Sequence, residues 1–332
     1  MNACEVDVYL NQKIAVAIPS YKEEKQIRRV LETMPDYVDL IIVVDDASPE
    51  PDRTCEIVKE MMKEDSRILL VAREENGGVG AAIEDGYRES LEHGADVVAV
   101  MAGDGQMDPD ELHRIVEPVA RGKTDLAKGN RYNLQSDWSV IPRVRLIGSI
   151  ILSFMTRLAT GYWTIGDPQN GYNAASSKLV EQFVRNGLYP RYGVPNDLLI
   201  TCAVYGARVQ DVSMEPVYDV GEQSKLRPSR VAFPIFLLLL RGFWKRMYYR
   251  HFLIETTPVP LAYLTGLLSF LSGLGWSLVL LTRSIQVAVT TPEVVAATLL
   301  FMGGAIVTLL AVVLDVLFSS RMIVTNEGES SL

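Results

Sequence analysis

Glycines, a carboxylate and an amide follow an apolar run in the stretch VVAVMAGDGQMDP, residues 97–109. Asp104 lies between two glycines, and Gln106 follows two residues later. A carboxylate beside an amide oxygen suits Mg²⁺ or Mn²⁺, because such ions take oxygen ligands and often bind through one or two carboxylates plus phosphate. The glycines let a diphosphate approach the backbone closely. The stretch therefore predicts a metal–diphosphate site at Asp104 and Gln106, and a plain surface turn is the alternative.

Two further acidic stretches require different interpretations. Asp45 and Asp46 end the fully apolar run LIIVV. Their oxygens are acceptors that suit a ribose hydroxyl or a base N–H, with an acidic turn as the alternative. Asp108 precedes Pro109 and two more acids, a pattern that predicts the start of a helix rather than a metal ligand, since acids favour the N-terminal end of the helix dipole.

The stretch ENGGVGA, residues 75–81, looks like a dinucleotide-binding glycine loop. That fingerprint requires the glycine turn directly after the first strand. Here the glycines follow the third apolar run, and the first is followed by Pro19, Ser20 and Tyr21. The pattern argues against a Rossmann dehydrogenase.

Apolar runs alternate with amphipathic segments from residue 13 to about residue 130. The strand-like runs are Ile14–Ile18, Leu40–Val44, Ile68–Val71, Val97–Met101 and Asp125–Ala127. The helical segments lie near Glu24–Met34, Thr54–Lys63, Gly80–Glu92 and Pro109–Ala120, and later near Val144–Thr160 and Asn196–Tyr205. This alternation predicts an α/β fold with a mostly parallel sheet and helices on both faces. Ligands of such sheets gather beyond the carboxyl ends of the strands, where the polar residues above lie.

Charge and cysteine content exclude some classes of function. A net charge of -9 argues against a nucleic-acid partner. Seven Lys/Arg and no acidic residue lie between Lys225 and Ile254, which predicts a basic collar on an acidic body. The three cysteines have no paired or metal-ligand spacing, which fits a reducing compartment. The first residues lack an apolar signal segment, so we expect the first domain to stay in the cytoplasm.

Two long apolar runs follow. Val259–Leu281 has 23 residues without a charge, about 34 Å of helix at about 1.5 Å per residue, enough for a hydrocarbon core of roughly 30 Å. Val294–Phe318 carries only Asp315. The short linker makes the two runs a hairpin. We expect Asp315, near the end of the second span, to snorkel to the interface and pair with Arg321.

The flanks of the hairpin indicate its orientation and packing. Four basic residues precede the first span: Arg241, Lys245, Arg246 and Arg250. Arg321 follows the second span, and the linker between the spans has only Arg283. The positive-inside rule then places both ends in the cytoplasm. Phe233–Leu240 is too short to span and predicts an amphipathic interfacial helix, with a core helix as the alternative. Small residues permit close packing, within the hairpin or in a homo-oligomer: Ser269, Gly273, Gly303 and Gly304.

Four segments are predicted on this basis. Residues 1–227 form the catalytic domain, 228–256 a juxtamembrane amphipathic segment, 257–321 the transmembrane hairpin, and 322–332 a cytoplasmic tail.

Seven short motifs in order resemble the family 2 glycosyltransferases with a GT-A fold, in particular polyprenyl-phosphate glycosyltransferases of the dolichyl-phosphate mannose synthase type. They are AIPSYKEE (17–24), VVDDASPE (43–50), NGGVGAAIEDGY (76–87), MAGDGQMDP (101–109), KGNRY (128–132), DPQNGYNA (167–174) and GEQSKL (221–226). The resemblance covers about residues 13–227, and the paired C-terminal spans are similar to those of bacterial and archaeal members.

The resemblance implies roles for individual residues. The nucleoside would be held by Pro19, Tyr21, Glu23, Asp45, Asp46 and Gly78. Asp104 and Gln106 would bind the Mg²⁺ or Mn²⁺ that bridges the nucleotide diphosphate. Arg131 would contact the phosphates, since its planar fork suits their oxygens. The family commonly has a further acid where this chain has Ala102, so the metal site has one protein carboxylate.

The acceptor side is assigned by the same resemblance. Ser224, Lys225 and Arg227 would meet a lipid phosphate, with a basic stripe that only docks on anionic lipid as the alternative. Asp167, Gln169 and Asn170 would line the sugar and acceptor side, although Asp167 could instead only set a turn. Asp197 occupies the place of a catalytic acid in many relatives. It could deprotonate a hydroxyl, orient a substrate or cap a helix.

The sequence therefore predicts an inverting, metal-dependent glycosyltransferase at the cytoplasmic face of a membrane. It would move a hexose or N-acetylhexosamine from a UDP- or GDP-sugar onto dolichyl or undecaprenyl phosphate. The alternatives are transfer to a hydroxyl acceptor, such as a lipid-linked glycan or a glycolipid, and a non-catalytic nucleotide-binding membrane scaffold.

Overall fold

The computed structural model describes residues 12–132, 143–215, 228–285 and 287–324. The strands in chain order are β1 Ile14–Ser20, β2 Leu40–Asp45, β3 Ile68–Ala72, β4 Val97–Val100, β5 Leu126–Asn130, β6 Asn173–Ser176, β7 Val209–Ser213 and β8 Ile323–Val324. The helices are α1 Ile27–Glu32, α2 Thr54–Met61, α3 Val79–Glu92, α4 Leu112–Ala120, α5 Arg143–Thr160, α6 Ser177–Asn186, α7 Val194–Tyr205, α8 Pro228–Arg246, α9 Val259–Arg283 and α10 Thr291–Ser319. A 3₁₀ turn, Pro109–Glu111, precedes α4, and a π-helical segment, Met247–Ile254, follows α8.

The eight strands form one sheet in the order β3-β2-β1-β4-β6-β5-β7-β8. Within the described chain β6 alone runs antiparallel to its neighbours, β4 and β5. The mostly parallel α/β fold predicted from the sequence is confirmed. Strands β1 and β2 are buried along their whole length because helices cover both faces of a parallel sheet. This burial explains their uninterrupted apolar sequences.

Each face of the sheet has its own apolar core. On one face, Ile83 of α3, Phe183 of α6 and Leu198 of α7 pack against the sheet. On the other, Ile27 of α1 and Leu112 of α4 do the same, together with α2. The helices therefore fix the strands from both sides and leave the loops at the carboxyl ends of the strands free to build a site.

The expected fifth strand had the wrong bounds. Asp125 precedes β5, and its carboxylate accepts a hydrogen bond from the backbone N–H of Arg208, 2.8 Å away. The strand continues instead to Asn130. Lys128 is paired with both β6 and β7, and Asn130 with β7. An apolar pattern cannot locate a strand whose last residues are polar.

Helices α9 and α10 form the expected hairpin, slightly longer than predicted. Both are long and apolar enough to cross a membrane, and only 17% of the most apolar window of each is buried. That fraction argues against two core helices of a soluble domain. A side chain at Gly273 or Gly304 would collide with the backbone of the opposite helix, so these two glycines serve the hairpin itself.

Asp315 does not reach the interface as expected, and the side chain of Arg321, its expected partner, lies outside the described part of the chain. Asp315 is fully buried and forms an ion pair with Arg246 of α8, with an N–O distance of 2.7 Å. The reason is the path of the chain after α10. Met322 enters a core of the catalytic domain, and β8 extends the sheet beside β7. The end of α10 is thus covered by protein, and Ile323–Val324, at the start of the segment expected to be a cytoplasmic tail, form an edge strand.

The apolar run Phe233–Leu240 lies inside α8, which has two apolar sides. Ile235 and Leu239 are buried against α5 and α7. The exposed apolar side chains of α8 are Phe233, Phe236, Leu240 and Trp244. Those of α5 are Ile147, Ile150, Ile151 and Phe154. The helix therefore combines the core contact and the outward apolar face that the sequence left as alternatives.

Candidate active site

The turns after β1, β2 and β4 meet at one edge of the sheet. Ser20 is the register partner of Asp45, and the N–H of Asp46 donates to the carbonyl of Ser20 at 2.9 Å. The N–H of Gly103 donates to the carbonyl of Pro19 at 3.2 Å. The parallel strands thus bring together the nucleoside and metal segments predicted from the sequence.

The turns after β1 and β2 have strained backbones that hold each other. Lys22 and Ala47 have φ angles of 60° and 55°, uncommon for residues with a side chain. The N–H of Lys22 donates to the hydroxyl of Ser48 at 2.8 Å. That hydroxyl donates to the carboxylate of Asp45 at 2.6 Å. Such backbone conformations are often found at binding sites, and the hydrogen bonds through Ser48 hold the two turns together.

Both carboxylates at the end of β2 are buried and hold the local backbone. Asp45 also accepts a hydrogen bond from the N–H of Ser48 at 2.9 Å. Asp46 accepts from the N–H groups of Gly77 and Gly78 at 2.8 and 2.7 Å, and Arg73 lies 3.1 Å from it. Because a carboxylate has about four acceptor positions, these contacts do not use all of them.

The glycine segment before α3 is explained by close packing of the chain. A side chain at Gly80 would collide with the carbonyl of Tyr189, and Gly78 has a φ of +94°. The N–H groups of Gly80 and Ala81 donate to the carbonyl of Pro190 at 2.9 and 3.3 Å. The amides of Gly77 and Gly78, just before α3, are therefore bonded to Asp46, and those of Gly80 and Ala81 in its first turn to Pro190.

The carboxylate of Asp197 holds the same loop. It accepts a hydrogen bond from the N–H of Tyr189 at 2.8 Å, next to the Pro190 carbonyl that meets α3. Burial raises the pKa of Asp197, and the Tyr189 hydrogen bond opposes the shift. Its observed contact is thus with the loop that packs on the glycine segment.

The segment between β4 and α4 presents the predicted metal ligands. The carboxylate of Asp104 accepts a hydrogen bond from the N–H of Gln106 at 3.0 Å. A side chain at Gly103 would lie 2.5 Å from the hydroxyl of Ser20, so only glycine fits there. Asp108 accepts from the N–H of Asp110 at 3.0 Å at the start of the 3₁₀ turn, which confirms its interpretation as a helix-starting residue.

The oxygen donors of Asp104 and Gln106 suit a hard cation that takes further ligands from a bound substrate. No group of three or more His, Cys, Asp or Glu side chains that could hold a metal occurs among residues 12–132, 143–215, 228–285 and 287–324. Asp104 with Gln106 therefore fits Mg²⁺ or Mn²⁺ taking its other ligands from phosphate and water, and does not fit a closed structural metal site.

Arg131 is oriented by a buried carboxylate. Its Nε lies 2.7 Å from Oδ2 of Asp167 and its Nη2 lies 3.3 Å from Oδ1, a two-point contact. Asp167 is fully buried, whereas 41% of the Arg131 side chain is exposed. Asp167 thus holds the arginine from beneath and leaves it facing outwards, as a phosphate contact requires.

The other residues of the DPQN loop hold the loop to the domain. Asn170 donates to the carbonyl of Gly129 at 2.9 Å and accepts from the N–H of Tyr172 at 3.0 Å. Gln169 and Asn196 of α7 exchange hydrogen bonds at 2.9 and 3.2 Å. Their amide groups thus fix the position of the loop on β5 and α7.

Two buried ionisable residues beneath this loop were missed from the sequence. Lys128 donates its ammonium group to the carbonyl of Asn170, and burial lowers its pKa to about 8. Asp211 accepts from the N–H of Gly166 at 2.9 Å and from Asn130 at 2.7 Å, and burial raises its pKa to about 6. The sequence did contain a signal of burial, because both are charged residues within strands. It could be recognised only once the bounds of β5 and β7 were known.

Three predicted groups meet at one small cleft. Its lining includes residues of the metal segment, the phosphate contact and the sugar loop: Gln106, Met107, Asp108, Glu111, Arg131, Asn170, Tyr172, Met214 and Glu215. The predicted acceptor residues Ser224, Lys225 and Arg227 lie outside the described residues.

Comparisons with known proteins show what the chain is similar to. The family model described as "Glycosyl transferase family 2" matches residues 15–183. The UDP-N-acetylglucosamine–dolichyl-phosphate N-acetylglucosaminyltransferase of Methanococcus voltae is 28% identical over 240 residues, 68% of this chain and 94% of that protein. The undecaprenyl-phosphate mannosyltransferase of Micrococcus luteus is 29% identical over 217 residues, 64% of this chain and 87% of that protein.

A solved structure shares the fold. Glucosyl-3-phosphoglycerate synthase of Mycobacterium tuberculosis, in complex with Mn²⁺, UDP and glucosyl-3-phosphoglycerate, covers 73% of this chain and 82% of its own at a TM-score of 0.53. At 20% identity, this likeness extends to the fold alone.

Proposed function

The chain belongs to glycosyl transferase family 2, and we propose that it transfers a hexose or N-acetylhexosamine from a UDP- or GDP-sugar to a polyprenyl phosphate. The observation that carries the choice of acceptor is the apolar hairpin fixed to the catalytic domain. A hairpin long enough to cross a bilayer keeps the domain beside lipid substrates. The two relatives named for transfer to dolichyl and undecaprenyl phosphate support the same acceptor class.

In the proposed reaction an anionic oxygen of the lipid phosphate attacks the anomeric carbon of the sugar. The bond from that carbon to the nucleotide diphosphate breaks with inversion, and the diphosphate leaves with the bonding electrons. No proton must be removed from an ionised phosphate, so the reaction needs no general base. This chemistry agrees with the contact of Asp197 with a loop N–H.

The charged residues of the cleft are assigned to the leaving group. Arg131, held by Asp167, neutralises negative charge on the departing diphosphate. Asp104 and Gln106 would hold Mg²⁺ or Mn²⁺, which when bound stabilises that same charge. The Mn²⁺ and UDP in the Mycobacterium tuberculosis synthase support this use of a divalent cation.

The acceptor is assigned to the membrane side of the domain. Lys225, with Ser224 and Arg227, is proposed to contact the lipid phosphate, because these residues precede α8 and its exposed apolar face. We assign the exposed apolar sides of α5 and α8 to the membrane interface. Exposed Arg241 supports a cytoplasmic location of the domain, since basic residues favour that side.

A transfer assay in detergent with Mg²⁺ or Mn²⁺ tests the proposal. Four donors would each be combined with dolichyl and undecaprenyl phosphate: UDP-glucose, UDP-galactose, UDP-N-acetylglucosamine and GDP-mannose. Mass spectrometry of the lipids should show the gain of one sugar. Release of nucleotide without a lipid product would indicate a hydroxyl acceptor instead, and no consumption of any donor would favour a nucleotide-binding scaffold.

A further inference from the structure

A buried polar cluster joins the membrane hairpin to the catalytic domain. Its centre is Arg246, whose guanidinium makes a two-point contact with Asp315 of α10, with both N–O distances 2.7 Å. Both side chains are completely buried. An ion pair removed from water is expensive unless every donor and acceptor is satisfied, so its other contacts decide what it does.

All five N–H donors of Arg246 have a partner. Nε donates to the carbonyl of Ala159 at 3.0 Å and Nη2 to that of Leu158 at 3.1 Å. These carbonyls lie in the last turn of α5, where helix carbonyls have no partner within the helix and carry partial negative charge. The remaining donor of Nη1 faces Nε2 of His251 at 3.3 Å. The arginine therefore bridges α5 of the catalytic domain and α10 of the hairpin.

Further groups surround the ion pair closely. Tyr263 of α9 and Ser319 of α10 donate to Asp315 at 3.4 and 3.3 Å. Gly161 has a φ of +78°, and a side chain there would lie 2.6 Å from Nη1 of Arg246. Burial lowers the pKa of His251 to about 4, and its Nε2 lies 3.3 Å from Nη1 of Arg246 and 3.6 Å from Oδ1 of Asp315. Four helices and the π-helical segment thus meet at one pair of charges.

The turn of α5 that accepts from Arg246 also contacts the loop that carries Asp167. In α5, Arg157 donates to the carbonyls of Ile165 and Gly166 at 3.0 and 3.3 Å. The next residue, Asp167, holds Arg131. One turn of α5 therefore contacts the hairpin through Arg246 and also supports the loop beneath the phosphate-binding arginine.

We propose that Arg246 and Asp315 are positioning residues, which hold the hairpin at a fixed angle and height on the catalytic domain and so determine where a lipid phosphate meets the site. The role in lipid positioning rests on the proposed function. A 1 Å displacement of a substrate can cost about a hundredfold in rate, so a tilt of the domain should affect the lipid substrate most.

The test compares Asp315→Asn with Glu293→Gln in lipid nanodiscs. Glu293 pairs with Arg283 at the far end of the hairpin, where both side chains are partly exposed, and Gln can still cap α10. We expect Asp315→Asn to raise the KM for polyprenyl phosphate about ten- to a hundredfold, with nucleotide affinity unchanged. A short-chain, water-soluble prenyl phosphate should be used at nearly the wild-type rate. Equal KM values for the two variants, or equal loss with the soluble acceptor, would overturn the proposal.

A second measurement separates the positioning role from folding and from the reaction. Hydrogen exchange of amides 157–161 and 315–319 should accelerate in Asp315→Asn and stay unchanged in Glu293→Gln. The double variant Arg246→Leu, Asp315→Leu leaves no unpaired charge and should fold. This double variant should still show the raised KM for polyprenyl phosphate, and a KM equal to that of the wild type would contradict the positioning role of the pair. If the wild type transfers nothing to polyprenyl phosphate, the proposed function fails, whereas unchanged exchange in Asp315→Asn would refute the attachment itself.

Discussion

Replacing Asp167 by Asn removes the charge that orients Arg131 and changes few atoms. The carboxylate is fully buried and contacts the guanidinium at 2.7 and 3.3 Å. Asparagine offers one acceptor oxygen and no charge, so the two-point contact is lost. Because 41% of the Arg131 side chain is exposed, water can solvate the released guanidinium. The buried ammonium group of Lys128 loses Asp167 as a charged neighbour but keeps Asp211.

The expected loss follows from the contact. Hydrogen bonds to charged groups contribute about 1.5–3 kcal/mol. At about 1.4 kcal/mol per tenfold change in rate, loss of this restraint should lower kcat/KM for sugar transfer about ten- to a hundredfold. The unfolding free energy should fall by a similar amount, and nucleotide binding measured by calorimetry should weaken less than kcat/KM.

Asp125→Asn is the matched control. Asp125 forms a comparable contact with Arg208, at 2.9 Å, and both side chains are partly exposed. The two residues directly precede β5 and β7, at the ends of the strands opposite to the candidate site. Exposed pairs contribute about 0–1 kcal/mol, so this variant should transfer sugar at the wild-type rate. The assay is steady-state transfer with both substrates varied. A kcat/KM for Asp167→Asn within about threefold of that for Asp125→Asn would refute the role given to Asp167, since threefold is under 1 kcal/mol.

Three further predictions concern the candidate site and the residues that support it. Asp104→Ala should abolish metal-stimulated transfer without shifting the unfolding temperature, whereas Asp108→Ala should lower stability by about 1 kcal/mol through loss of a helix cap. Undiminished metal stimulation in Asp104→Ala would exclude Asp104 as a metal ligand. Gly80→Ala should destabilise the domain by about 1–3 kcal/mol because the new carbon meets a backbone carbonyl; exposed Gly148→Ala in α5 should instead stabilise it by about 1 kcal/mol, and calorimetry would show any departure. Burial raises the pKa of Asp211 from 3.8 to about 6, so its contribution to stability is full below pH 3.8 and is lost as the pH rises through 6. Asp211→Asn should therefore raise the unfolding temperature more at pH 8 than at pH 4, and an equal shift at both pH values would contradict the burial argument.

The sequence alone determined the α/β class, the first four strands and the hairpin. Each rests on a local pattern: buried parallel strands are continuous apolar runs, and a membrane span is a long run without charge. Local turn chemistry was also readable, as at Asp108, whose helix-starting role depends on its immediate neighbours. The order of the motifs indicated the family, which the family model confirms.

The tertiary structure alone decided what the individual charges contact. Asp315 pairs with Arg246, 69 residues away in the chain, and Asp167 with Arg131, 36 residues away. Lys128 and Asp211 lie in strands whose polar ends have no apolar pattern, so the sheet had to be known before their burial could be recognised. Spacing along a chain fixes which face of a helix or strand a residue occupies. Which distant group meets that face depends on how the elements pack, because the pairing energy of a buried charge is set by neighbours that the local sequence does not contain.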